Sequence, residues 1–203
     1  MPCSRAPSGS PTPDVWPALT SLSYKSAAVR LPGKGWTAVP EGEDMAVMPA
    51  GALDERISKS AALVYDDSDP DRRKSKATVS LEIHSYDPHA EGNDLDVDYM
   101  RREVAKIALE IQEGWGPLSQ EPSITKDGVV YDVIVSGHKS GLKKNPNKIL
   151  TWRWEYIGVV MRKGGNEAAG IKTVIECRGE FYSEQKCAKL ANDVFATLQV
   201  KKR

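Results

Sequence analysis

Between Lys76 and Leu198 the hydrophobic period of the chain alternates between two and about 3.6, and this order of periods is its strongest constraint on fold. Ala77, Val79, Leu81 and Ile83 fall on one side of Ala77–Ser85, against Thr78, Ser80, Glu82 and His84 on the other. Such alternation predicts a strand with one better-buried side. Val97, Met100, Val104, Ile107, Ala108 and Ile111 then recur at three and four residues, which makes one stripe of a helix. Arg101, Arg102, Lys106 and Glu110 face the other way. Asp94, Asp96 and Asp98 gather at the positive N-terminal end of this helix, and Gly114, Gly116 and Pro117 stop it. Three strand-like runs follow: Val129–Ser136, entered through Asp127-Gly128, then Ile149–Arg162, then Ile171–Cys177. Consecutive strands with short polar connections form an antiparallel meander. Ser183 caps a second helix whose stripe is Cys187, Leu190, Ala191, Val194, Phe195 and Leu198. Strand, helix, three strands, helix predicts an α+β fold built on an antiparallel sheet.

Upstream the signals are shorter. Residues 1–22 are rich in Pro, Ser and Gly, lack apolar periodicity and read as a flexible tail; residues 23–203 read as a single domain. Ala27–Leu31, Pro32-Gly33 and Trp36–Val39 predict strand, tight turn, strand. Met45–Met48 and Lys59–Tyr65 are further strand candidates, and 66–74 is a charged loop. A length of 203 residues, 40% hydrophobic and 28% charged, suits one domain with a substantial core. Lys+Arg and Asp+Glu balance at 28 each, so the basic surplus of a phosphate-neutralising nucleic-acid binder is missing. No apolar run approaches the roughly 20 residues of a transmembrane helix. The first residues lack the apolar centre of a secretory signal.

The cysteines bear on compartment. Cys3, followed by a Ser/Pro/Gly tether, suits an acylated cysteine of a bacterial lipoprotein; it equally suits an odd cysteine in an irregular leader. Cys177 and Cys187 can bridge in an oxidising compartment or stand as two small buried thiols.

No reaction is spelled out. His84 and His89 are separated by a Pro-containing turn, a poor geometry for converging metal ligands, and are read as exposed loop histidines; His138 stands apart. Asp94-Leu95-Asp96-Val97-Asp98 fails as a calcium loop, because Tyr99 and Ala105 occupy the positions that need Gly and Glu. The acidic stretch 66–71 is read as a solvated loop beside Arg72, Arg73 and Lys74. Gly33-Lys34-Gly35 is a turn and not a phosphate cradle, and no nucleophile motif occurs. No catalytic residue, metal or cofactor is therefore assigned. Two sets remain as partner-binding candidates. Trp152, Arg153 and Trp154 lie in an aromatic strip that also serves as core under a helix, and Lys143, Lys144 and Lys148 lie in a basic loop.

Val29-Arg30-Leu31-Pro32 with Trp36, the Ser80–Tyr86 strand before the Asp98 helix, and the closing Phe195-Ala196-Thr197-Leu198 resemble the PsbP-like superfamily. That superfamily includes PsbP, DcrB-like lipoproteins and Mog-type regulators, and the resemblance covers about residues 27–200. It implies an antiparallel sheet with helices on both faces, an α/β/α sandwich, and a non-catalytic binding or accessory role. The insert at 66–74 and the connection 139–148 depart from the pattern, so they leave the partner open. The expectation is a binding protein whose partner is another protein or a small ligand, envelope-associated or exported in preference to cytoplasmic. Two alternatives stand beside it: a hydrolase or isomerase with a cavity on a curved sheet, and an intracellular regulator or secretion chaperone holding a partner's helix. The oligomeric state is left open.

Overall fold

The computed structural model describes residues 20–33, 35–38, 57–65, 75–86, 97–109, 115–140, 148–161 and 168–201. The elements are β1 (Ser21–Tyr24), β2 (Ala27–Arg30), β3 (Thr37–Ala38), β4 (Ile57–Tyr65), β5 (Ala77–Tyr86), α1 (Val97–Leu109), β6 (Trp115–Lys126), β7 (Val129–Lys139), β8 (Ile149–Met161), β9 (Ala168–Arg178), α2 (Glu184–Ala196) and β10 (Gln199–Val200). Among the described residues they make an α+β arrangement of two antiparallel sheets and two helices. Seven strands form the large sheet in the order β3-β4-β5-β9-β8-β7-β6, and β1-β2-β10 form the small one. No helix among the described residues is long and apolar enough to cross a membrane.

The expected elements from Ala77 onward are present, and the meander is longer by one strand. Trp115–Lys126, read from sequence as a helix stop and connection, is a 12-residue strand paired with β7. Two other expectations are corrected. The strand–turn–strand of residues 27–39 is not a hairpin: β2 pairs with β1 and β10, whereas β3 pairs with β4 in the other sheet. Gly33 and Gly35 take φ of 79° and 94°, a backbone that glycine adopts without Cβ strain, and carry the chain from one sheet to the other. The indole N–H of Trp36 donates to Pro32 O at 2.8 Å and fixes that crossing. Regular structure also starts earlier than expected, since Ser21 and Leu22 belong to β1 and Leu22 is buried. Met45–Met48 and the acidic loop 66–74 lie outside the described residues.

Burial divides into two clusters. The larger joins Leu22 and Val29 of the small sheet, Val79 and Leu81 of β5, Tyr131 and Val133 of β7, Trp154 and Tyr156 of β8, and Ala191, Val194 and Phe195 of α2. The second joins Met100 and Val104 of α1 to Tyr86, Ile134, Ile157, Val159 and Ala168. Neighbouring residues of β8 therefore go to different clusters, as side chains of a pleated strand must. α2 is tied at both ends. The Lys186 N–H donates to Ser183 Oγ at 3.4 Å, and the Thr197 hydroxyl donates to Val194 O at 2.7 Å. The same Thr197 oxygen accepts from Arg30 N–H at 2.8 Å, which joins the helix end to β2.

Candidate functional site

A groove of about 650 Å³ runs beside α2, between that helix and the strands β6, β7 and β8. Its making begins in the turn Asp127-Gly128. With φ of 52° and 74° these residues form the tight reversal that lays β6 antiparallel to β7. β6 carries Pro117 and Pro122, and its pairing shifts register at Pro117/Ser119 and Glu121/Ile124. Such irregularities bend an edge strand and re-aim its side chains. Ile124 of β6, Val133 of β7, Trp154 and Tyr156 of β8, and Ala188 of α2 give the groove its apolar lining. Glu121, Glu184, Gln185 and Asn192 add the polar part.

The floor is stiff. Tyr156 is fully buried, its ring stacked on Phe195 at 4.1 Å between centroids, and Tyr131 meets Phe195 edge-on at 5.0 Å. The Tyr156 hydroxyl donates to Asn192 Oδ1 at 3.0 Å. Burial pushes its pKa well above the ordinary tyrosine value, so the phenol stays a neutral donor. On the rim, Ser119 donates to Glu121 Oε1 at 2.8 Å. Glu184 sits in the first turn of α2, where a carboxylate opposes the positive helix end. An apolar floor with acid and amide groups at the edge can hold an amphipathic group: its apolar part on Trp154, its polar part at the rim.

Glu155 and Arg153, which point away from this groove on β8, join an ionic array with residues of β5 and β9. Lys172 Nζ lies 2.6 Å from Glu155 Oε1 and 3.7 Å from Glu82 Oε2, and His84 Nε2 lies 3.4 Å from Glu82 Oε2. Burial works against the Lys172 ammonium, but Glu155 and Glu82 outweigh it and raise its pKa above the ordinary lysine value. One row along, Arg153 donates through Nε to Glu176 Oε1 at 2.6 Å and stacks 3.9 Å over the Trp115 ring. His138 flanks Trp115 at 5.4 Å. Arg101 of α1 reaches Asp132 of β7 at 3.3 Å. A lysine clamped between carboxylates holds its proton and has no free lone pair to attack with.

The sequence candidates are thus dispersed. Trp154 lines the groove, and Trp152 packs half-buried against the larger core cluster. Arg153 is on the opposite side of β8, engaged by Glu176 and Trp115. Lys148 is exposed where β8 begins, while Lys143 and Lys144 lie outside the described residues, as do Cys3 and His89. Cys177 and Cys187 are bonded, with Cα atoms 5.8 Å apart. His84, expected in an exposed loop, is instead fully buried on β5. The groove residues of β6 and the outward side of α2 were not foreseen. The Asp127-Gly128 turn was the available signal for β6, because a hairpin turn before β7 requires a strand leading into it.

No family model matches the chain, and no curated protein matches it. Among solved structures, LpqN, described as involved in cell envelope biogenesis of Mycobacterium tuberculosis, is similar to it in fold. The TM-score is 0.55 at 9% identity, over 93% of this chain and 87% of that one. At that identity the likeness concerns fold alone.

Proposed function

We propose that this protein is a non-catalytic, envelope-associated binding or accessory protein that takes its ligand, or a segment of a partner, in the groove beside α2. The observation that carries this reading is the apolar floor of Trp154 and Tyr156 under an acid and amide rim. Two further points support it. Lys172, whose pKa is raised, is held in an ion pair on the other side of the sheet from Trp154. The structural neighbour is described as a cell envelope biogenesis protein, which favours an envelope setting. The Cys177–Cys187 bond suits an oxidising compartment in the same sense.

The split of β8 between an α2-containing cluster and an α1-containing cluster supports an α/β/α sandwich of the PsbP-like kind. A groove beside the last helix also agrees with the alternative in which a partner's helix is held there.

The test is capture from an envelope fraction of the native source with the wild-type chain and with Ala188→Arg, which fills the groove from the half-exposed side of α2. Species retained by the wild type and lost by the variant support the reading. Equal retention by both, with the variant folded, removes the groove from it. Fractionation that finds the native protein wholly outside the envelope, with free thiols, removes the compartment.

A further inference from the structure

A second surface lies at the end of the large sheet where β5 and β8 begin and β7 and β9 end. Backbone hydrogen bonds sew this rim together. Arg178 N–H donates to Lys76 O at 2.9 Å, Gly179 N–H to Leu150 O at 2.8 Å, and Ser140 N–H to Lys148 O at 3.0 Å. Lys139 is the register partner of Ile149. Phe181 follows on the turn after β9, its N–H donating to Arg178 O at 3.0 Å. Its ring is 43% exposed and Leu150 is 38% exposed.

Either side chain alone would be ordinary, since folded surfaces carry single apolar residues. Their surroundings are not ordinary. Lys76 Nζ lies 5.8 Å and the Arg178 guanidinium 5.9 Å from the Phe181 ring centroid. Lys139 and Lys148 are exposed on the same rim. Glu180, 3.9 Å from Arg178, is the carboxylate on that turn. Four cations thus share one rim with two exposed apolar side chains, in a chain whose Lys+Arg and Asp+Glu totals are equal at 28 each.

We propose that this rim docks on an anionic phospholipid bilayer. Phe181 and Leu150 enter the interfacial layer, and Lys76, Lys139, Lys148 and Arg178 meet the lipid phosphates. Phe and Leu side chains bury at the boundary of headgroups and acyl chains, long cationic side chains reach from apolar surface to phosphate, and basic clusters concentrate at anionic leaflets. A bilayer fits better than a folded acidic protein, because the apolar groups stand on an exposed rim and do not line the described groove. The surface is separate from that groove, so the two assignments can fail independently.

The experiment uses the full chain carrying Cys3→Ser, so that no acyl group can anchor it. Sedimentation compares vesicles of phosphatidylcholine alone with vesicles containing phosphatidylglycerol. Binding should require phosphatidylglycerol and weaken about ten-fold on moving from low to high salt. Lys76→Glu with Lys148→Glu should lower binding about ten-fold or more. Phe181→Ser with Leu150→Ser should lower it at unchanged charge. Lys189→Glu, on exposed α2 away from the rim, should bind as the parent chain does. Circular dichroism melts establish that each variant is folded. Equal binding to both vesicle types overturns the proposal, as does rim-variant binding equal to the parent. Absence of vesicle binding, with or without capture of an acidic peptide, overturns it too.

Discussion

At Lys172 one buried ammonium answers two carboxylates, and the energetics are lopsided. The described contacts give Glu155 its charge partner in Lys172, with Glu155 1% and Lys172 7% exposed. Removing Lys172 takes the ammonium from Glu155 and Glu82 together, whereas apolar replacement of Lys172 and Glu155 leaves only Glu82, which keeps His84 at 3.4 Å. Lys172→Met should therefore cost about 3–5 kcal/mol in urea unfolding, and Glu155→Leu with Lys172→Met should recover much of that loss. A double variant no better than the single would refute the account. The pH dependence has a definite sign. Tyr131, through burial and then the Asp127 charge, is raised to about 12, and Tyr156 and Lys172 are raised as well. In all three the folded state favours the protonated form more than the unfolded chain does. Their stabilisation is whole below the ordinary values of 10.0 and 10.5 and drains as pH climbs through the raised ones. Urea midpoints should hold steady near neutrality and fall above pH 10, less steeply for Tyr131→Phe. A flat profile through that range would contradict the shifts. Gly158 is a third single-residue constraint, because an added Cβ would stand 2.5 Å from the Tyr131 ring. Gly158→Ala should cost about 1–3 kcal/mol by overpacking, read as a lowered melting midpoint.

At the level of elements, α2 was the most legible and β6 the least. The α2 stripe repeats at three and four residues under a Ser cap, and Cys187, Ala191, Val194 and Phe195 are buried as that pattern requires. Leu190, on the same stripe, is only half-buried, so Val194 is the sharper probe. Val194→Asp should abolish the cooperative transition, and a normal melt for that variant would mean that α2 does not dock. β6 was invisible because its burial scarcely alternates: most of it is exposed, and two prolines interrupt it. Period-two reading detects a strand only when one side is covered. The bond between β9 and α2 closes a ten-residue separation. Cys177→Ala with Cys187→Ala should lower stability by about 2–3 kcal/mol, and dithiothreitol should then shift the wild type but not the variant.

For the molecule as a whole, the class and the order of elements could be read directly, because each depends on local periodicity. Long-range choices could not. Nothing near Pro32 indicates that β2 and β3 part into different sheets, since that choice is settled by partners elsewhere in the chain, β10 for β2 and β4 for β3. The groove was half legible for the same reason: Trp154 announced itself by alternation, while Ile124, Ala188 and Asn192 converge on it only through tertiary packing. The joining of Arg30 to Thr197, 167 residues later, has a temporal consequence. A ribosome makes roughly 5–20 residues per second, so the β1–β2 ribbon waits on the order of ten seconds or more for β10 to emerge. α2 and Cys187, the mate of Cys177, are made only shortly before it. The small sheet and the core beneath α2 are therefore completed only when residues 184–200 have been made, long after β1 and β2.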